Sequence, residues 1–183
     1  PPADNVFSYA LMKDQKGDEM HKSKGNAIWF EDAAEKMGVD VMRWVFARHN
    51  PAANLNFGYL YGDEVRRQFI IPLWNIFSFF TTYAEIDGWY PSKSNTPLES
   101  VYDYINQRNK KPEAFDTNLL KENFTELDRW ILSDTEQLKE RVTTYLENWR
   151  VEYASQAIER YVDRLSNWYV RRSRRRFWKS END

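Results

Sequence analysis

The sequence has no cysteine and only two histidines, His21 and His49, among its 183 residues. This excludes a disulfide scaffold, thiolate metal sites, a cysteine nucleophile and a histidine-rich metal centre, and no metal site is expected. Glycine and proline are sparse, at six and seven, and no stretch approaches the roughly 20 continuous apolar residues that span a bilayer. No basic segment precedes an apolar run near Pro1-Pro2-Ala3-Asp4, so neither export nor membrane insertion is expected. An initiator methionine is also lacking and the chain stops at Ser180-Glu181-Asn182-Asp183; we expect a processed chain or, with more weight, an excised piece of something longer.

What is present supports a folded protein. Apolar residues make up 42% and charged residues 30%, and 11 Phe, 11 Tyr and 8 Trp supply ample core-forming surface. The formal charge of −2 hides an asymmetry, because residues 160–183 hold eight Arg and Lys against three acids. A polyanion would meet that local patch rather than the average charge.

The breakers are unevenly placed: the last glycine is Gly88 and the last proline Pro112, so residues 113–183 should form long helices. Leu127, Ile131, Leu138, Val142 and Tyr145 recur at helical spacing behind a Thr125–Asp128 cap, and after a break at Asn148-Trp149 a second helix runs from Val151 towards Phe177. Between Asp63 and Ile86, the residues Phe69, Ile70, Leu73, Ile76, Phe77, Phe80 and Tyr83 form another apolar face, which Pro72 should kink or divide. Residues 92–125 read as a loop or insertion, with a short helix from Leu98 to Ile105. In the first 60 residues, Phe7–Met12 reads as extended and Asp14–Asp18 as a turn. Lys22–Asn26 reads as a loop, and Gly38 should separate short helices at Glu31–Met37 and Asp40–His49.

The segment Met20-His21-Lys22-Ser23-Lys24-Gly25-Asn26 places two ammonium groups, a hydroxyl and flexible backbone in one short loop, which suits polyphosphate. Taken alone, it reads first as a solvated surface turn, since loose phosphate-loop patterns match often. It is followed by Glu31–Met37 and then by Gly38-Val39-Asp40-Val41-Met42-Arg43-Trp44. In this order the segments resemble the class I aminoacyl-tRNA synthetases: a KMSKS-type signature loop, Lys-Gly-Asn, an acidic helix and Gly-x-Asp-x-x-Arg. Two later blocks, Leu127-Asp128-Arg129-Trp130-Ile131-Leu132-Ser133 and the run Ser166–Trp178 with its Asn-Trp-Tyr and Arg-rich string, resemble the isoleucyl branch, with the valyl and leucyl enzymes as alternatives. The resemblance covers about residues 16–91 and 126–179. It departs at Glu19, where the first signature lysine is expected, and at His21, where the first serine is expected.

The resemblance implies a mainly α architecture, with residues 1–60 ending a catalytic domain and residues 61–183 beginning an α-helical anticodon-binding bundle. It assigns Lys22 to transition-state and pyrophosphate charge during amino-acid activation, and Met20, Lys22, Ser23 and Lys24 to ATP. Arg171, Arg172 and Arg175 are expected to meet tRNA phosphates; the rival reading for each arginine of the basic end is structural, some favouring the negative helix C-terminus and others pairing with acids on neighbouring helices. Trp168, Tyr169, Phe177 and Trp178 are each read as core residues before base-stacking platforms. The parent would be a monomeric cytoplasmic ligase using ATP with Mg2+, isoleucine and tRNA, and the piece itself is expected to bind no cofactor. The family's His-x-Gly-His signature is missing, because His21 and His49 are the only histidines, so this chain should be inactive alone. A freestanding, non-catalytic RNA-binding module is the rival reading, and a protein-docking bundle a blander one.

Overall fold

The computed structural model describes residue 6 and residues 8–88 and 124–178. Helices dominate, and the only sheet among the described residues pairs β1 (Met12–Lys13) with β2 (Leu55–Asn56) in parallel, Met12 opposite Leu55. Between the strands lie α1 (Phe30–Met37) and α2 (Val39–Arg48), separated by Gly38 at φ 89°. That left-handed backbone costs little without a Cβ and turns the chain after one short helix. Then come α3 (Tyr59–Val65), a π-helical turn (Arg66–Ile70) and α4 (Ile71–Ile86). The second half contains α5 (Glu126–Glu147), α6 (Val151–Arg164), a second π turn (Leu165–Val170), α7 (Arg171–Ser173) and α8 (Arg175–Trp178).

A core of Ala33, Met37, Val41, Met42, Val45, Leu55, Phe57 and Val65 joins α1, α2, β2 and α3. Val45 and Val65 are fully buried, each worth roughly 1.5–3 kcal/mol in apolar surface withdrawn from water. The fit is close enough that a Cβ on Gly62 would stand 2.6 Å from the Met37 sulfur. Ile131 on α5 and Ala154, Ala157 and Val162 on α6 are also buried, and α6 packs along α5 and against α2. There Arg164 grips both carboxylate oxygens of Asp134 at 2.9 Å.

Pro72 does not divide the long helix. Its ring cannot donate to the preceding turn, and the structure absorbs the loss by widening that turn, with Ile71 N–H reaching Arg66 C=O five residues back. The helix therefore runs unbroken from Tyr59 to Ile86, 28 residues, earlier at its start than expected and by length and composition alone enough to cross a membrane. Its expected apolar face is only half used. Phe69 is buried, while Leu73, Phe77 and Phe80 remain exposed.

Thr125 and Asp128 form the expected capping box, and α5 stops at Glu147, with Trp149 just beyond it at φ 59°. Of the described residues in the expected extended run Phe7–Met12, only Met12 lies in a strand, and β2 was not anticipated. The short helix expected at Leu98–Ile105 lies outside the described residues, as does all of 92–125 except Phe124 and Thr125.

Candidate nucleotide loop and RNA-binding face

Side chains at its base fasten the signature loop. Asp14 Oδ1 accepts the Lys16 and Asp18 backbone N–H groups, each at 2.9 Å, closing the turn after β1. Asn26 donates to Asp14 Oδ2 at 2.9 Å and to the Glu19 carbonyl at 3.0 Å, while its own oxygen accepts His21 N–H at 2.9 Å. The Asn26 donor, followed by the backbone donors, holds the Asp14 carboxyl below its ordinary pKa. One asparagine thus ties both limbs of the loop to the turn below. Gln15 adds a tether to α3 by accepting Leu60 N–H at 3.0 Å.

Above these anchors, Lys22–Lys24 form a single 3-10 turn stopped by Gly25 at φ 69°. Lys22, Ser23 and Lys24 are all exposed on it, so the structure brings three of the expected ATP residues together. Met20, whose backbone is the expected contact, is partly buried, its side chain packed against the core. The Lys22 ammonium lies 4.6 Å from the centroid of the Trp29 ring, and Glu19 lies 3.5 Å from His21. An apolar cavity of about 580 Å³ opens elsewhere, between Tyr9, Met12 and Phe46 on one side and Trp149 and Val151 on the other.

The basic end divides into two groups. Arg176 donates to Asp128 Oδ1 at 2.7 Å, and Tyr169 donates its hydroxyl to the same oxygen at 2.8 Å. Burial disfavours the Asp128 anion, yet the Arg176, Thr125 and Tyr169 donors outweigh it and hold this carboxyl well below the usual range. Burial, together with the Asp128 charge, pushes the Tyr169 phenol up to about 12. Arg176 therefore braces the bundle.

Arg171, Arg172 and Arg175 are exposed and, at about 100° per residue, share one side of the helix end. Arg172 stacks on Trp168 at 4.3 Å, whereas among the described residues Arg171 and Arg175 have no ion-pair partner. Trp168 and Trp178 are more than half exposed, which corrects their reading as core residues; the second π turn and the last short helix carry them outward. Phe177 does pack inward, edge-on to Phe79 at 5.0 Å, and Tyr169 is partly buried. Sequence reasoning passed over Asn26 as an anchor, although it stood in the quoted motif, and over Asp128 as more than a cap. No group of three or more His, Asp or Glu suited to a metal occurs among the described residues.

Residues 1–58 match the family model of class I tRNA synthetases (I, L, M and V), and residues 128–183 match the anticodon-binding domain of tRNA ligase. The chain belongs to the class I tRNA synthetases. Within that family it is similar to isoleucine–tRNA ligases along its whole length. The relative from Dehalococcoides mccartyi strain CBDB1 is 41% identical over 100% of this chain and 16% of its own length. That from Thermus thermophilus is 36% identical over 97% of this chain and 15% of its own length. That from Bacteroides fragilis is 35% identical over 94% and 13%. The chain thus spans about a sixth of the relatives it matches, in keeping with the expectation of a piece of a longer enzyme.

Proposed function

We propose that the chain supplies the ATP-signature loop and the first tRNA-binding helices of an isoleucine–tRNA ligase. The observation that carries this reading is the exposed Lys22-Ser23-Lys24 turn, held at its base by Asn26, in a chain similar from end to end to isoleucine–tRNA ligases. In the activation step the isoleucine carboxylate attacks the α-phosphate of ATP, the bond to the β-phosphate oxygen breaks, and pyrophosphate leaves. Negative charge grows on the transferring and leaving oxygens, and Lys22 meets it as a preorganised cation. Ser23, Lys24 and the Met20 backbone hold the nucleotide.

Residues 1–60 then close the catalytic domain and residues 61–183 open the anticodon-binding domain, with Arg171, Arg172 and Arg175 on RNA phosphates. Mg2+ would arrive with the ATP phosphates. The enzyme would act as a cytoplasmic monomer away from membranes, its long helix Tyr59–Ile86 being a bundle helix that carries Asp63, Glu64, Arg66 and Arg67 in its first turns.

The test is pyrophosphate exchange into ATP. The full-length ligase should exchange with isoleucine and far less with valine or leucine, while the 183-residue chain alone should not exchange. A second reading, an RNA-binding module without catalysis, is favoured by Glu19 in place of the first signature lysine. It requires tRNA binding by the chain with no exchange even from the complete gene product.

A further inference from the structure

Glu159 on α6 receives two donors from α2. Trp44 Nε1 donates to Glu159 Oε1 at 2.7 Å, and Arg48 Nε approaches the same oxygen at 3.4 Å. Trp44 and Arg48 are four residues apart, so both project from one face of α2. Both ends of the ion pair are more than four-fifths buried, where a charge-assisted hydrogen bond is better shielded from water than at the surface. Trp44 is fixed from its other side as well, because its ring stacks on Phe69 of the first π turn at 4.1 Å and 14°. The Arg48 guanidinium lies 5.8 Å from the Tyr61 ring of α3. Three elements therefore meet at one carboxylate: α2, which follows the signature loop; α3 with its π turn; and α6, which leads into the arginines.

We infer that Glu159 is a positioning residue that fixes the angle between the ATP-loop unit and the RNA-binding helix. This inference rests on the function proposed above. Glu159 precedes Arg171 by 12 residues, roughly 18 Å of helix at 1.5 Å per residue. A tilt of about 5° at the joint moves the Arg171 end by more than 1 Å, and a misplacement of about 1 Å can cost a reaction on the order of 10²-fold. Amino-acid activation requires no RNA and is indifferent to that angle. Transfer to tRNA is not, since RNA gripped at the arginines must present its far end to the catalytic domain. The joint thus separates the two half-reactions.

The experiment uses the full-length ligase with Glu159→Ala, Glu159→Gln and Trp44→Phe, the last keeping the ring stack while removing the indole donor. Glu159→Ala and Trp44→Phe should each lower kcat/KM for tRNA about tenfold, the scale of one lost hydrogen bond to a charged group. Isoleucine-dependent pyrophosphate exchange should stay within about twofold. Glu159→Gln, whose amide oxygen still accepts the indole proton, should retain most of the wild-type value. The double variant Trp44→Phe with Glu159→Ala should be no worse than the poorer single one, because both remove the same contact. Parallel loss of exchange and aminoacylation would overturn the inference by making Glu159 a plain stability residue, and so would unchanged kcat/KM for tRNA. Absence of exchange by the unaltered enzyme would instead defeat the proposed function.

Discussion

Arg176 donates to Asp128 across 48 residues of sequence, from a half-exposed guanidinium to a carboxylate that is 2% exposed. The pair fastens the end of the basic helix to the start of α5, where Asp128 also completes the cap with Thr125. Replacing Asp128 by Asn should cost about 1–3 kcal/mol at pH 7, a moderate figure because water screens the Arg176 side. The carboxyl is depressed in the folded state. Its contribution is therefore complete above the unfolded value of about 3.9 and is lost as pH falls towards the folded value. Thermal melts of the two proteins should differ fully at pH 7, and the difference should shrink progressively as pH falls below about 4. A difference independent of pH would remove Asp128 from this role. The partner phenol has the opposite sign: Tyr169, raised to about 12, contributes below its unfolded value and loses that contribution as pH climbs through about 12.

Trp149 occupies a left-handed backbone position, φ 59°, that helix ends normally give to glycine. Arg150 N–H bonds the Tyr145 carbonyl at 2.8 Å and Trp149 N–H the Leu146 carbonyl at 3.1 Å, the two bonds of a Schellman stop. The tryptophan side chain is 68% exposed, so it recovers little of the backbone strain. Trp149→Gly should stabilise the chain by about 1 kcal/mol in a denaturant titration. A loss of stability would show that its ring, which borders the cavity with Tyr9 and Phe46, contributes more than the strain costs.

The arginines near the end of the chain should separate by assay. Arg171→Gln, Arg172→Gln and Arg175→Gln should weaken tRNA binding and flatten its salt dependence by about 0.7 in logarithmic slope per lost single-strand phosphate contact, with little change in melting temperature. Arg176→Gln should do the reverse, since it strands the buried Asp128. Uniform loss of stability with no loss of affinity across the first three would defeat the RNA assignment.

Much of this arrangement is written locally. Thr125 and Asp128 stand three apart before an apolar period, Gly38 sits between two short amphipathic runs, and the signature residues are contiguous, so short-range rules find them. The rest depends on partners distant in sequence. Strands of two residues carry no alternation, and Met12 is extended because Leu55 lies beside it. The first π turn could be anticipated as a disturbance from Pro72, but the bulge at Leu165–Val170 has no proline to announce it. Asp128 looked like an ordinary cap because Tyr169 and Arg176 reach it only once α5 and the basic end are packed together. Glu159 carried no signal at all, being one acid on a helix whose meaning depends on Trp44, 115 residues away.

The most direct test of the account is Lys22→Ala in the full-length ligase, assayed for isoleucine-dependent pyrophosphate exchange. Lys22 projects from an exposed turn, and its aromatic contact, with Trp29, is at the surface, so the fold should be unaffected. If Lys22 meets the charge of the departing pyrophosphate, the exchange rate should fall about 10²–10³-fold at saturating isoleucine, the loss seen when one preorganised donor is removed. An unchanged rate in a variant with the wild-type melting temperature would contradict the assignment of this loop to activation.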